Sequence, residues 1–570
     1  MNVIANNPAA QLLASSKSVA LGGWIRLALV AVFAELCILI PLGSAVQVGS
    51  DEGFELVKVT LYMHGYRLYT DIWNDQPPLH TFLVAQALKH TSESVLVPRL
   101  ITVSFAVVLL ASLYALVNRI TGRPMLAFLT ILLLIACPGF LELSSSCMLE
   151  MPSLATAVAA LSVLLIMPRD RWRLREVLAG ILFGSALQMK LVPMYLLPLV
   201  ALLLLARRLP SPGSESQQEE TEITERHPGW GSFCLGRTWG RGEAPGFRGG
   251  LFADRRALAL FAGRLVVFGV GLMGSYVLID LLIDGGAFLR NFGQTWSSHF
   301  ARARSFEYGS ASDYPYDWGV LLRNWDVTLP ALAGALMFVR RARVQPMNFL
   351  PVAWLALSIL VFAIHRPWWS YYYIHNAIPL CWCAGVGIEW AATVAFVKWG
   401  LAGARPSGWR LMASPRHGEA KEGGSRAIAL LFATYLAVSV PWMVTRVYLE
   451  IRGIRNSPQL YNSLVLDQIK RLKPFTQWMY ADRLVYSFHA GIPIPPPIAV
   501  VPLKRLWAGE MTSARMATEM QKYRPGIVLL RNDSREVPFQ ALLTAEYRLV
   551  YEDQDNRLYA HESIRKKAGF

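Results

Sequence analysis

Long apolar runs separated by charged loops are the feature that most constrains how this chain folds. A helix needs about 20 predominantly apolar residues to cross the hydrocarbon core of a bilayer. Hydrophobic residues make up 54% of the chain and charged residues only 16%, whereas soluble domains average about 25% charged. These values predict a polytopic membrane protein with about eleven transmembrane helices, at 24–46, 97–117, 124–141, 151–167, 176–189, 191–206, 258–283, 328–339, 349–364, 374–397 and 427–445.

The basic residues predict how these helices are oriented. Every even-numbered run ends in a loop rich in Arg or Lys, and such loops stay in the cytoplasm. The odd-numbered runs, the fifth apart, end in acidic or aromatic loops at 49–95, 142–150, 285–325 and 365–373. We therefore expect a cytoplasmic amino terminus. Met1–Ala20 shows no cleavable signal pattern, so we expect the first run to be retained as a span.

The positions of the basic residues also indicate which partners the formal charge of +16 allows. The bases follow apolar runs and do not alternate with aromatic residues, which argues against nucleic acid as a partner. Residues 1–445 are predicted to form a transmembrane domain that includes the outer loop 49–95. Segments 207–257 and 398–426 lack apolar periodicity and are predicted to be flexible cytoplasmic loops.

Residues 446–570 contain no further span, and an odd span count places them outside the membrane on the outer face. Short apolar runs predict strands at 484–486, 498–501, 526–530, 547–551 and 557–559. Met516, Met520 and Tyr523 recur at helical spacing within 511–523. We therefore expect a small α/β extracytoplasmic domain.

The outer loop 49–95 concentrates acidic residues in a chain that is poor in them. Its carboxylates are Asp51, Glu52, Glu55, Asp71 and Asp75. Three elements follow in order: the pair Asp51-Glu52, the stretch Gly65-Tyr66-Arg67-Leu68-Tyr69-Thr70-Asp71, and Pro77-Pro78 before the second span. Carboxylates at a membrane surface lose hydration, which favours a cationic or protic partner.

This arrangement resembles membrane-embedded GT-C-type glycosyltransferases, in particular protein O-mannosyltransferases and lipid A aminoarabinose transferases. The resemblance implies transfer of a sugar from a polyprenyl-phosphate donor to an envelope acceptor, which is lipid A, a polysaccharide or a protein. It implies a location in the bacterial inner membrane, with the reaction on the outer face. Asp51 is then the candidate general base, because a carboxylate partly withdrawn from water has a raised pKa. Glu52 is expected to orient Asp51 or the acceptor, and Glu150, at the outer start of the fourth run, to face the same cavity.

The alternatives are that the loop acids are merely solvated, and that Glu150 only stabilises the positive end of a helix. Asp75-Gln76 departs from the aminoarabinose transferases, in which a Lys follows the acid and helps to hold the lipid phosphate. Other cations must then bind the phosphate, and the candidates are Lys190, Arg302, Arg304 and Arg366. Each of them could instead be an interfacial side chain with its charge in water.

The aromatic stretch 365–375 contributes further substrate-binding candidates, His365, Tyr371, Tyr372 and His375. Interfacial belts also use Trp and Tyr, so belt and site remain equally open, although an anchor needs no imidazole. A divalent metal cofactor is left open, because Asp51, Asp75, Glu150 and the outer His residues offer ligands without a recognisable metal-binding spacing.

Two other classes of function remain. A transporter or flippase of lipid-linked glycans predicts charged residues in mid-span and inverted repeats; Glu35 is such an acid, but no repeat is visible. A structural assembly protein would leave the acidic loop unexplained. The one-sided position of the candidate residues favours an enzyme.

Overall fold

The computed structural model describes residues 27–44, 51–91, 94–168, 170–206, 255–285, 291–295, 309–342, 346–398, 422–456, 463–534 and 537–570. Its amino-terminal part is helical. In chain order the helices are α1 (Leu27–Leu39), α2 (Asp51–Met63), α3 (Leu79–Lys89), α4 (Leu96–Thr121), α5 (Pro124–Ile135), α6 (Phe140–Ser144), α7 (Glu150–Ile166), α8 (Trp172–Leu187), α9 (Leu197–Ala206), α10 (Arg255–Asp284), α11 (Gly319–Arg323), α12 (Trp325–Ala342), α13 (Leu350–Ile364), α14 (Tyr373–Lys398) and α15 (Glu422–Asn456).

Each of the eleven apolar runs coincides with a helix. Within the described residues, five helices are long and apolar enough to cross a membrane, namely Leu96–Thr121, Leu258–Asp284, Met347–Ile364, Ser370–Ala395 and Ala429–Asn456. The remaining runs form shorter helices or helices broken by a turn. The predicted helical membrane architecture is confirmed, while the count of eleven spans and their orientation stay predictions.

Small residues bring two helix pairs into close contact. A Cβ atom on Gly180 of α8 would overlap the Phe268 carbonyl of α10, and one on Gly334 of α12 would overlap the Cys383 carbonyl of α14. Glycine lets the backbones approach to this distance, and such contacts are a main source of helix association in lipid. The close packing joins α8 to α10 and α12 to α14; residues at or near the ends of α8 and α14 contribute to the site described below.

The carboxyl-terminal part is a small α/β unit built on a four-stranded sheet of order β1-β2-β4-β3. β1 and β2 are parallel and the other neighbours antiparallel. Its elements are α16 (Ser463–Leu472), β1 (Met479–Ala481), α17 (Val485–Ala490), α18 (Pro496–Ala499), α19 (Leu503–Trp507), α20 (Ser513–Tyr523), β2 (Ile527–Arg531), α21 (Gln540–Glu546), β3 (Tyr547–Glu552), β4 (Asn556–His561) and α22 (Glu562–Arg565).

The predicted strands at 526–530, 547–551 and 557–559 are confirmed, as is the helix within 511–523. Two predicted strands are wrong: 484–486 begins helix α17, and 498–501 ends helix α18 and continues as extended chain. Strand β1 was not predicted. A short apolar run that is buried on all sides has no period that separates strand from helix, and α17 is buried along almost its whole length.

The outer loop packs with the carboxyl-terminal unit. Leu56, Val57 and Val59 of α2 belong to the same buried cluster as Val465 of α16 and Val528 of β2. The boundary that we predicted at residue 445 stays a prediction, and α15 itself runs on to Asn456. One hydrophobic core therefore joins the loop that carries Asp51 to residues more than 400 positions later in the chain.

Candidate active site

Asp51 is the first residue of α2, where a negative charge is stabilised by the positive end of the helix. Its carboxylate accepts a hydrogen bond from the Tyr371 hydroxyl, and the charges of Glu150 and Lys190 act on it. The structure therefore brings together residues 51, 150, 190 and 371, which come from four separate segments of the chain.

Glu150 and Lys190 form a buried ion pair in this cluster. Glu150 is 1% exposed and Lys190 is 7% exposed. The Lys190 ammonium also lies 5.5 Å from the ring centre of Tyr371 and 5.4 Å from that of Tyr372, a distance at which a cation is attracted to an aromatic face. The sequence around Lys190 holds no acidic residue within several positions, and the partner Glu150 lies 40 positions away in the chain.

The chain reaches this geometry through a tight turn after α8. The backbone N–H groups of Met189 and Lys190 both donate to the Ala186 carbonyl at 3.1 Å. A short 3-10 helix, Val192–Leu196, then begins with Pro193 near its start. The turn places the Lys190 side chain beside the first turn of α7.

His375 and His365 lie on the aromatic side of the cluster. The ring of Tyr372 is 5.7 Å from that of His365 and 6.3 Å from that of His375. His375 is buried and its ring lies 5.6 Å from that of Tyr195. Tyr195 was missed from the sequence, since nothing distinguishes it there from an interfacial tyrosine.

The electrostatic surroundings raise the proton affinity of Asp51. Burial raises the pKa of its carboxyl above the usual range, and the negative charge of Glu150 raises it further. The hydrogen bond from Tyr371 and the Lys190 charge act in the opposite direction. A carboxylate with a raised pKa is a better general base near neutral pH.

Glu52 has a different environment from Asp51. Its two carboxylate oxygens accept hydrogen bonds from Arg99 at 2.8 and 2.9 Å, and the Cys147 N–H donates to it at 2.9 Å. Arg99 also donates to the carbonyls of Leu42 and Ser44. These contacts tie the first turn of α2, which carries Asp51, to α4 and to the chain after α1. That Glu52 orients Asp51 or the acceptor stays a prediction.

Asp75 and Gln76 lie next to the carboxyl-terminal unit. The Gln76 side-chain amide donates to Asp75 at 3.0 Å, and Lys504 donates to the same carboxylate oxygen at 3.4 Å. Three residues after Gln76, the Leu79 N–H donates to the Gln188 carbonyl at 3.1 Å. This turn therefore borders the Lys190 turn. The role of Lys504 was missed, because the sequence gives no sign of a contact across 429 positions.

A second network, also missed, lies one turn along α2 from Asp51. The Lys58 ammonium donates to Glu55 at 2.6 Å and to the Asn74 side chain at 3.1 Å. His80 approaches the other Glu55 oxygen at 3.8 Å. All four residues are buried, so the network fixes α2 against the turn that carries Asp75.

Of the other predicted cations, only Arg366 lies within the described residues, and it does not join the cluster. Arg302 and Arg304 lie outside the described residues. Arg366 is exposed and donates to the Ser312 carbonyl at 3.4 Å. Among the residues that the structure describes, no group of three or more His, Cys, Asp or Glu side chains is placed to hold a metal ion.

Comparisons with known proteins bear on this site. The model of a family described as dolichyl-phosphate-mannose-protein mannosyltransferase matches residues 75–213, which include Asp75, Glu150 and Lys190. No curated protein matches the chain. A crystal structure of ArnT from Cupriavidus metallidurans bound to undecaprenyl phosphate is 15% identical, with a TM-score of 0.55, over 94% of this chain and 98% of that one.

The structure of the same ArnT in the apo state is 16% identical, with a TM-score of 0.56, over 95% of this chain and 98% of that one. At such low identity the similarity shows the fold. ArnT is a GT-C lipid A aminoarabinose transferase. The chain therefore has an ArnT-like fold, and the resemblance to mannosyltransferases and aminoarabinose transferases that its first outer loop indicates is confirmed.

Proposed function

We propose that this protein is an integral membrane glycosyltransferase of the bacterial inner membrane. It moves a sugar from a polyprenyl-phosphate donor to an envelope acceptor on the outer face. The observation that carries the proposal is the convergence of a carboxylate of raised pKa, Asp51, with a buried cation, Lys190, between aromatic rings. Transfer of a sugar from a lipid phosphate needs a base for the acceptor nucleophile and, close to it, a ligand for the phosphate.

In the proposed reaction the acceptor hydroxyl or amine attacks the anomeric carbon of the donor sugar. The bond between that carbon and the phosphate oxygen breaks, and the phosphate leaves with the electron pair. Asp51 takes the proton of the acceptor nucleophile. Lys190 exchanges part of its pairing with Glu150 for the phosphate, because a charge-assisted hydrogen bond to phosphate is strong in a site shielded from water.

The donor class is supported by the undecaprenyl phosphate bound to ArnT, whose fold this chain shares. A polyprenyl tail stays in the bilayer, so its phosphate arrives at the membrane surface. We expect Glu150, the first residue of α7, and Lys190, three residues after the end of α8, to lie at that surface. Tyr371 and Tyr372 supply aromatic faces on which a sugar ring can pack. Arg302 and Arg304 stay in the proposal as further phosphate ligands.

The transporter alternative finds less support in the structure. Glu35, its candidate mid-span acid, is exposed on the surface of α1. The charged residues of the cluster instead lie at helix ends, as chemistry at the membrane surface requires.

The test is mass spectrometry of lipid A, envelope glycans and glycoproteins from a strain that lacks the protein, complemented with parent or variant chains. We expect one glycan class to lose a sugar in the deletion strain and to regain it with the parent. Asp51→Asn should not restore it, whereas Asp467→Asn, on the exposed face of α16, should. Restoration by Asp51→Asn would remove the proposed base, and an unchanged glycan profile in the deletion strain would contradict the function.

A further inference from the structure

A groove opens between the end of α2 and the carboxyl-terminal unit, away from Asp51. Its volume is about 370 Å³, which lies within the range of small-ligand sites. We call it the Trp478 groove. Its lining residues are His64, Tyr66, Lys473, Thr476, Gln477, Trp478, Gly491, Ile492 and Pro493.

Aromatic rings form one side of the groove. The ring centre of Trp478 lies 5.9 Å from that of Tyr66, which also lines the groove, and 5.6 Å from that of Tyr523, which does not. Trp478 and Tyr66 are only half-buried, so part of their surface faces solvent. Aromatic faces carry partial negative charge and attract the partly positive C–H groups of a sugar ring.

The polar lining residues fit a sugar that carries negative charge. Gln477 and Lys473 are exposed, and they offer an amide and an ammonium group. No carboxylate occurs among the described lining residues. An ammonium group in a lining without a competing carboxylate favours phosphate or carboxylate substituents on the ligand.

The backbone that carries Trp478 is held rigidly. Thr476 donates from its hydroxyl to the Trp478 carbonyl at 2.8 Å, and the same hydroxyl accepts from the Gly526 N–H at 3.1 Å. A Cβ at Gly526 would overlap the Thr476 side chain. Because the recognition surface is formed in advance, the protein loses less conformational entropy when a ligand binds.

The position of the groove relative to Asp51 follows from α2. Asp51 begins this helix and His64 follows its last residue, so about 13 residues separate them, or about 20 Å along the axis. That distance corresponds to several sugar units in an extended glycan. An acceptor that is an oligosaccharide can therefore reach both places at once.

We propose that the Trp478 groove binds an anionic oligosaccharide, the distal part of the acceptor glycan. This proposal rests on the proposed transferase function and adds the class of acceptor to it. The groove would then select acceptors by a part of the molecule remote from the bond that forms.

The experiment measures binding of two probes to the full chain in lipid nanodiscs without donor. One probe is the phosphate-bearing core oligosaccharide of deacylated lipopolysaccharide, and the other is the neutral maltohexaose. The variants are Trp478→Ala, which removes the ring, and Lys473→Gln, which removes the charge. Lys470→Gln is the matched control, since Lys470 is an exposed lysine of α16 outside the lining.

We expect the phosphate-bearing probe to bind more tightly than maltohexaose. Trp478→Ala and Lys473→Gln should each weaken its binding about tenfold, which is the effect of losing roughly 1.4 kcal/mol. Lys470→Gln should bind as the parent does. Equal binding of both probes, or parent-like binding by Lys473→Gln, would overturn the anionic class, and failure of the phosphate-bearing probe to bind would overturn the groove as a site.

The variant Asp51→Asn separates this proposal from the proposed function. It should retain probe binding and lose sugar transfer. If Asp51→Asn keeps both probe binding and sugar transfer, Asp51 is not the base, but the groove remains a binding site. If the Trp478→Ala protein folds and transfers sugar to a long acceptor at parent efficiency, the groove does not bind the acceptor, but the proposed transferase function is unaffected.

Discussion

The ion pair between Glu150 and Lys190 allows a decisive test of the phosphate-binding role. Removing one partner of a buried pair costs about 3–5 kcal/mol of stability, because the other charge is left uncompensated. Both side chains are less than a tenth exposed, so Lys190→Gln and Glu150→Gln should each lower the thermal midpoint of the purified protein clearly. The double variant has no orphaned charge at either position and should recover most of that loss.

Donor binding should follow a different pattern. If Lys190 holds the phosphate, its removal costs one charge-assisted hydrogen bond of about 1.5–3 kcal/mol, or roughly 10- to 100-fold in affinity. Lys190→Gln and the double variant should both show this loss, with undecaprenyl phosphate as the probe. Lys190→Arg should recover part of it, since it keeps the charge with a different geometry.

The comparison of the two measurements decides the role. A double variant that is stable but still binds the probe weakly identifies Lys190 as a phosphate ligand. A double variant that binds the probe as tightly as the parent would refute the reasoning and reduce Lys190 to a structural partner of Glu150. Arg366→Gln serves as the comparison; its side chain is exposed and outside the cluster, and it should bind like the parent unless it carries the role instead.

Three further predictions follow from the same structure. Burial and the charge of Glu150 raise the pKa of Asp51, so the transfer rate should begin to fall at a higher pH than the pKa of an ordinary aspartate would predict. Glu150→Gln removes one of these causes and should move this acidic limb of the pH–rate profile to lower pH. A limb that does not move would show that it does not arise from the titration of Asp51. Glu52→Gln breaks the pair with Arg99 and should cost about 3–5 kcal/mol of stability, measured by thermal unfolding. Because this pair fixes the first turn of α2, turnover per folded molecule should also fall; parent-like turnover in fully folded protein would exclude Glu52 from positioning Asp51. Reporter fusions test the topology. Fusions after Arg175, Arg343 and Gly418 should report the cytoplasm, and fusions after Gly286 and at the carboxyl terminus should report the outside. A cytoplasmic carboxyl terminus would contradict the predicted orientation.

The helices of the membrane part could be predicted because their signal is long. An apolar run near 20 residues has few alternative structures, and each predicted run coincides with a helix. The carboxyl-terminal unit gave weaker signals: 484–486 is apolar like a strand but begins α17, because elements this short take their structure from the surrounding core. Strand β1, only three residues long, had no recognisable pattern.

The candidate site could be predicted in part, for a similar reason. Asp51, Glu150 and Lys190 are recognisable because charged residues at the edges of apolar runs are costly without a partner. Which partner each one takes could not be predicted, since the pairs join residues distant in the chain. Lys190 meets Glu150 and Asp75 meets Lys504, and only the packing of the helices determines these contacts.

Helix α2 explains why residues that do not touch Asp51 still control it. The ion pair between Glu52 and Arg99 fixes its first turn to α4. The hydrogen bond from Lys58 to Asn74 fixes its second turn to the turn that carries Asp75. Its apolar side chains share a core with the carboxyl-terminal unit. A general base works only when its carboxylate is held within a fraction of an ångström of the productive position. The acids in the outer loop therefore divide into one group that performs the proposed chemistry and another that holds the helix in place, and the buried contacts of each side chain, which the sequence does not reveal, decide to which group it belongs.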